Sequence, residues 1–131
     1  MEKSELLFAE THEWTHLSEE GGDKIATIGL TAHAIEALTD LVYMDLPTAG
    51  TAVSSGSPFG EVESVKATSD LYSPVDGEIV DVNTALPDKL DTLNTDPYGD
   101  GWIIKVKISD PAALDKLMDL AAYEKLCSED G

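Results

Sequence analysis

Basic side chains are scarce in this 131-residue chain, and arginine is missing altogether. The chain has 8 lysines against 26 aspartates and glutamates, which gives a formal net charge of −18. Such a surface repels nucleic acids and anionic membranes. Without arginine, the bidentate guanidinium contacts that recognise phosphate groups are also missing. We therefore expect no binding to nucleic acid or membrane, and we expect any protein partner to offer a basic surface.

Cysteine and long apolar runs are the next absences. Cys127 is the only cysteine, which excludes an intrachain disulfide and a cysteine-rich zinc site. No stretch approaches the roughly 18 consecutive apolar residues that a membrane-spanning helix needs. The first ten residues resemble neither a secretory signal nor an arginine-rich transit peptide. The sequence thus predicts a soluble cytoplasmic protein, and a mature mitochondrial protein would show the same features.

What remains favours a single, mainly β domain over residues 1–131. The length suits one domain, and the apolar content of 42% is ordinary for a globular protein. Short strand-like segments alternate with turn residues along the chain. The predicted strands cover residues 24–30, 40–46, 58–65, 68–74, 77–82 and 101–108. The second of these is apolar on both faces, which predicts a well-buried strand.

Two segments have the pattern of helices. Thr31 is a suitable N-cap for a short helix over residues 32–38. Near the end of the chain, Asp110 as N-cap and Pro111 at the first helical position predict a helical region over about residues 110–127.

The stretch HEWTH matches the zinc-binding pattern H-E-x-x-H. On a helix, His12 and His16 would lie on one face to bind zinc, with Glu13 as general base. However, the threonines and tryptophan of this stretch favour a strand. The third histidine, His33, lies in a separate short segment. A zinc hydrolase is therefore a remote alternative, and the preferred interpretation is that Trp14 packs in the core beside histidines at a strand edge.

Lys66 stands out because it lies between two runs of strand-forming residues. A hairpin tip at this position would project the amine into solvent, and the small neighbours Val65 and Ala67 would let an enzyme approach it. These features suit a modification site, and a solvated turn lysine is the plain alternative.

The residues around Lys66 resemble the lipoyl-attachment region of glycine cleavage system H proteins. The resemblance rests on ESVKA at 63–67 and SPVDGEIVDVN at 73–83, and it extends in the same order through THEW, IGLTAHA, VYMDLP, PYGDGW and AYEKLC. Biotin carriers instead place methionine on both sides of the modified lysine. Lipoyl domains of 2-oxoacid dehydrogenases typically have Asp-Lys-Ala, whereas this chain has Val-Lys-Ala.

The resemblance implies a fold and a function. The implied fold is a hybrid barrel-sandwich of antiparallel strands with a short internal helix and C-terminal helices, and its lipoyl hairpin covers about residues 58–74. A lipoyl- or octanoyl-attaching enzyme would modify Lys66, so that lipoic acid is joined to Nζ by an amide. The protein would catalyse no reaction itself.

Three enzymes would use the modified chain, according to the same resemblance. A pyridoxal-phosphate glycine decarboxylase would load an aminomethyl group, a tetrahydrofolate-dependent aminomethyltransferase would remove it, and a dihydrolipoamide dehydrogenase would reoxidise the arm. A lipoyl relay that donates lipoyl groups to other lipoyl proteins is the alternative within the family.

The resemblance also suggests a cleft for the loaded amine. Thr11, Glu13 and Asp70 are candidates to hold the cationic group, with His33 nearby, and the two acids supply the complementary charge. Their alternative role is that of ordinary surface residues in a very acidic protein.

Two positions depart from the family pattern. Thr39 stands where glycine is common, and Ile35 stands where glutamine is usual. These departures bear on partner contacts near residues 33–40 and leave the lysine motif unchanged.

Overall fold

The structure is a computed structural model, and it describes residues 6–9, 11–38, 41–65 and 67–130. Strands dominate these ranges, and the helices are short. The strands are β1 Leu7–Phe8, β2 Glu13–Glu20, β3 Asp23–Leu30, β4 Leu41–Asp45, β5 Ala52–Val53, β6 Pro58–Ser64, β7 Thr68–Tyr72, β8 Asp76–Val82 and β9 Ile104–Asp110. The helices are α1 Ala32–Leu38, α2 Thr92–Thr95 and α3 Leu120–Asp130, with 3₁₀ turns at Leu86–Asp88 and Pro111–Lys116.

The strands form two antiparallel sheets. One sheet has six strands in the order β1-β2-β3-β9-β8-β5, and the other has three in the order β4-β6-β7. This confirms the prediction of a mainly β, antiparallel fold. No helix in the described ranges is both long enough and apolar enough to cross a membrane.

The main core consists of apolar side chains from both sheets. Ile28 on β3 pairs in register with Ile104 on β9, and both are fully buried. They belong to one apolar cluster with Val62 of β6, Leu71 of β7 and Ile79 of β8, which are also fully buried. Burial of each such side chain favours folding by about 1.5–3 kcal/mol. The hairpin of β6 and β7 is therefore anchored through its inward side chains.

A second apolar cluster attaches the C-terminal helix to the larger sheet. The ring of Phe8 stacks on that of Tyr123 in α3, with the ring centroids 4.6 Å apart. The backbones of Phe8 and Met118 exchange two hydrogen bonds of 2.7 Å. Trp14 completes this cluster and is fully buried. The preferred sequence interpretation of HEWTH, that Trp14 packs in the core, is thus confirmed.

Gly29 leaves the space that Trp14 occupies. The two residues are paired across β2 and β3, and a Cβ atom on Gly29 would lie 2.6 Å from the indole ring. The ring cannot easily shift, because its Nε1 donates a hydrogen bond of 2.9 Å to the carbonyl of Pro97. We expect Gly29→Ala to lower the free energy of unfolding by about 1–3 kcal/mol, as overpacking does. Urea unfolding measures this loss, and a change close to zero would contradict the packing described.

The predicted strand at 40–46 is present, but its predicted burial is wrong. Val42 and Tyr43 of β4 are 56% and 47% exposed, and Met44 is the buried residue of the strand. The small sheet meets the core with one face, so Tyr43, beside the buried Met44, lies on the solvent face, and Val42 has no register partner on β6. The register between β4 and β6 is also irregular between Leu41 and Tyr43.

The C-terminal helical region begins differently from the prediction. Asp110 is the last residue of β9, and the element that follows it is a 3₁₀ turn over Pro111–Lys116 and not an α-helix. Pairing of Met118 with Phe8 then interrupts the helical path. The Asp119 side chain accepts a hydrogen bond of 2.9 Å from the Ala122 N–H, which is an N-cap contact that starts α3. By contrast, the predicted cap at Thr31 is confirmed, since its hydroxyl accepts a bond of 3.3 Å from the Ala34 N–H.

Candidate functional site

The hairpin of β6 and β7 ends in a closed, exposed turn. The Ser64 N–H donates a hydrogen bond of 2.8 Å to the Ala67 carbonyl, and the Ala67 N–H donates one of 3.1 Å to the Ser64 hydroxyl. Val65 is 64% exposed, and Ala67 is exposed as well. Lys66 itself lies outside the described residues. The described residues on either side of it are therefore held by hydrogen bonds and open to solvent.

Glu13 is an acidic residue buried at the start of β2. Its side chain is 1% exposed, and one carboxylate oxygen, Oε1, accepts a hydrogen bond from the Thr11 hydroxyl. The other oxygen, Oε2, is buried without a hydrogen-bond partner among the described residues. Burial raises the pKa of Glu13 to about 8, against a smaller opposing effect of Thr11 and of the nearby Tyr72 backbone. At neutral pH this carboxyl is therefore mostly protonated.

A groove of about 290 Å³ lies beside Thr11. Its walls come from the loop before β2, from Ser73 and Pro74 after β7, and from Lys116 in the 3₁₀ turn. In this groove Thr11 of the THEW segment therefore lies near Ser73 and Pro74, which follow Lys66 in the sequence. The Thr11 hydroxyl connects this groove to the buried Glu13 carboxyl.

Asp70 lies in the middle of β7 and is exposed. In register across the small sheet it is aligned with Glu61, which is aligned in turn with Asp45, and these two acids are also exposed. Like charges placed side by side across strands repel one another. A cationic group or a basic surface would relieve that repulsion. Asp70 is two residues from Tyr72, whose backbone partly offsets the rise in the pKa of Glu13.

His33, on α1, lies against His12, with the two ring centroids 4.9 Å apart. Nδ1 of His12 is 2.7 Å from the Tyr123 hydroxyl, which is 2.6 Å from the Thr31 hydroxyl. The sulfur of Cys127 is also close, within 4.8 Å of a ring nitrogen of each histidine. Sequence reasoning missed Tyr123 and Cys127, because no local motif links α3 to residues so distant in the chain.

The arrangement that a His12–His16 zinc site requires is absent. His16 lies on β2, and His12 immediately precedes that strand in a left-handed conformation with φ of 73°. Along an extended chain, four residues span about 13 Å, which is too far for both histidines to bind one ion. The helical spacing behind the zinc-hydrolase alternative therefore does not occur.

Comparisons with known proteins point to one family. The family described as Glycine cleavage H-protein matches residues 6–130. The chain belongs to the glycine cleavage H-protein family. Members of this family are non-catalytic subunits of the glycine cleavage system and carry lipoate. The resemblance found in the sequence is thus confirmed over almost the entire chain.

Individual relatives agree with this assignment. The glycine cleavage system H protein of Rhodopirellula baltica is 61% identical over 128 residues, covering 98% of this chain and 96% of that protein. The mitochondrial H protein of Mesembryanthemum crystallinum is 51% identical over 125 residues, covering 95% and 74% of the two chains. The crystal structure of the Mycobacterium marinum H protein has a TM-score of 0.83 at 39% identity, covering 93% of this chain and 95% of that one. This structural match supports the hybrid barrel-sandwich fold.

Proposed function

We propose that the chain, acting as one lipoyl-carrier domain over residues 1–131, carries the aminomethyl group of glycine on a lipoyl group attached to Lys66. Its partners are a lipoyl- or octanoyl-attaching enzyme, a pyridoxal-phosphate glycine decarboxylase, a tetrahydrofolate-dependent aminomethyltransferase and a dihydrolipoamide dehydrogenase. The observation that carries the proposal is the exposed, hydrogen-bonded turn whose sequence includes Lys66, in a family whose members carry lipoate. The plant relatives named mitochondrial and the bacterial relatives fit a mitochondrial matrix or a bacterial cytoplasm as its compartment.

The turn suits attachment of a long prosthetic group. Its described side chains, Val65 and Ala67, are exposed and small enough for an attaching enzyme to reach the backbone on both sides. When bound, the lipoyl group supplies a disulfide that accepts the aminomethyl unit and is later regenerated by oxidation. The protein presents the lipoyl group to the partner enzymes and protects the bound aminomethyl unit.

Thr11 and Glu13 supply a site for the cationic amine. A buried carboxylate oxygen without a partner is costly, and an ammonium group beside Oε2 would provide the missing hydrogen bond. Because the pKa of Glu13 is about 8, the carboxyl holds its proton at neutral pH and releases it when a cation arrives. The hydroxyl of Thr11 keeps Oε1 oriented throughout. Asp70, exposed on β7 of the smaller sheet, would add negative charge two residues before Tyr72, and His33, which lies against His12, is the further candidate.

Reconstitution of the system tests the proposal. The lipoylated chain is mixed with the decarboxylase, the aminomethyltransferase and the dehydrogenase, and each component is omitted in turn. We expect sustained release of carbon dioxide from glycine to require this chain, and transfer to tetrahydrofolate to require it as well. Equal rates without the chain would contradict the carrier role. Donation of lipoyl groups to other lipoyl proteins, without glycine decarboxylation, would instead favour the relay.

Replacement of Glu13 by alanine tests the cleft. We expect lipoylation to remain normal and the half-life of the loaded aminomethyl group to fall by about 10- to 100-fold, which corresponds to the loss of one charged hydrogen bond. Glu20→Ala is the matched control, because Glu20 is an exposed acid at the far end of β2. Chromatography of the loaded protein over time measures both half-lives. If Glu13→Ala and Glu20→Ala decay alike, Glu13 has no part in holding the amine.

A further inference from the structure

Three side chains with metal-binding atoms meet on one side of the molecule. They are His12 before β2, His33 on α1 and Cys127 on α3. One ring nitrogen of each histidine and the cysteine sulfur all lie within 4.8 Å of one another. The three residues come from distant parts of the chain, so the fold itself creates this cluster. All three residues are partly exposed.

The backbone and a tyrosine hold the cluster in place. The His12 N–H donates a hydrogen bond of 2.9 Å to the Ala9 carbonyl, and the His12 carbonyl accepts one of 3.0 Å from the Thr31 N–H. The hydroxyl of Tyr123, which is 4% exposed, contacts both His12 and Thr31. A histidine that binds a metal typically has its other nitrogen fixed by such a partner. Tyr123 lies one helical turn before Cys127, so the same residue also orients the helix that presents the thiol.

Two members of the cluster, His33 and Cys127, line a groove whose walls also contain acidic residues. This groove has a volume of about 530 Å³, and His33, Tyr123 and Cys127 lie along it together with the acids Glu36 and Glu124. Both acids are exposed. In a chain with a net charge of −18, the groove attracts cations from solution. An ion therefore has both an open path and a favourable potential.

We propose that His12, His33 and Cys127 bind one divalent transition-metal ion of the zinc class. Two imidazoles and a thiolate suit zinc and its neighbours and do not suit magnesium or calcium. In a tetrahedral zinc site, ligand distances of about 2.0–2.3 Å place the donor atoms about 3.4–3.6 Å apart. Because the donor atoms lie within 4.8 Å of one another, the cluster would need to contract by at most about 1.4 Å, through small side-chain rotations. A water molecule would fill the fourth position.

Metal binding at this position would stabilise the attachment of α3. The Cys127 thiol loses its proton to the solvent as the sulfur–metal bond forms, so binding releases one proton. The ion would then join α3 directly to the β2 and α1 region, beside the stacked rings of Phe8 and Tyr123. Because the complete site exists only in the folded chain, the ion raises the stability of the folded state.

The test uses the full-length Lys66→Arg chain, freed of metal by chelation, because a reduced lipoyl arm would itself bind zinc. Zinc is titrated by calorimetry in excess Mg²⁺, which occupies purely carboxylate sites. We expect one ion per chain, and with Co²⁺ we expect a thiolate-to-metal absorption band in the near ultraviolet. In the same background, Cys127→Ser should lose the band and lower the zinc affinity at least about 100-fold. The melting temperature should rise with zinc in the parent chain and not in Cys127→Ser.

Two further variants complete the test. His33→Asn should weaken zinc binding as Cys127→Ser does, whereas His16→Asn should leave it unchanged, because His16 lies on β2 away from the cluster. Circular dichroism verifies that each variant is folded. No zinc binding by the parent chain, or equal binding by Cys127→Ser, would overturn the proposal. Neither result would bear on the proposed carrier function, because zinc binding is measured in a chain that cannot be lipoylated at Lys66.

Discussion

Replacing Lys66 with arginine is expected to abolish lipoylation and all glycine decarboxylation that depends on this chain. Amide formation requires a neutral, nucleophilic amine, whereas the guanidinium group stays protonated in water. The flanking residues Val65 and Ala67 are exposed, so the substitution should leave folding unchanged. Intact mass after incubation with the attaching enzyme measures lipoylation. The reconstituted assay measures carrier activity.

Lys24→Arg is the matched control for this experiment. Lys24 is an exposed lysine on β3, so the control makes the same chemical change away from the lysine hairpin. It should keep full lipoylation and full activity. Lipoylation of Lys66→Arg, or undiminished decarboxylation with that variant, would contradict the assignment of Lys66.

The second large effect concerns stability and pH. The unfolded chain loses the Glu13 proton near pH 4.5, whereas the folded protein keeps it up to about pH 8. Between these values the folded state binds more protons, so the contribution of Glu13 to stability is complete below pH 4.5 and is lost as the pH rises through 8. The difference between the two pKa values corresponds to a loss of roughly 5 kcal/mol in the free energy of unfolding.

Glu13→Gln isolates this contribution, because glutamine has the same shape and does not titrate. Urea unfolding of both proteins from pH 5 to pH 9 measures the difference in the free energy of unfolding. We expect the wild-type protein to lose stability relative to Glu13→Gln across this range. The remaining acids titrate alike in the two proteins, so their contributions cancel in the difference between the two free energies of unfolding. Parallel curves would show that Glu13 is already ionised in the folded state, and its proton exchange with a bound cation would then have no basis.

Local patterns predicted those parts of the fold that local interactions determine. The strand at 24–30 follows from its strand-like residues, and the cap at Thr31 needs only the following helical turn. Tertiary contacts decided the rest. The pairing of Met118 with Phe8 divides the predicted C-terminal helix, and its cap at Asp119 is recognisable only once that break is known.

The candidate site was predictable to a similar extent. The lysine motif and the THEW segment are contiguous in sequence, so a family resemblance locates them. The contact between Thr11 and Glu13 is also local, but burial of Glu13 depends on how β2 packs. The meeting of His33 with Cys127 joins α1 to α3 and leaves no trace in either segment alone.

Peptide mass spectrometry across residues 60–79 of protein isolated from its native source tests the central claim most directly. The account predicts a lipoyl group in amide linkage to Nζ of Lys66, because its neighbours Val65 and Ala67 are exposed and the family carries lipoate. An unmodified Lys66 in protein that is fully active in glycine decarboxylation, or a lipoyl group on a different lysine, would contradict it.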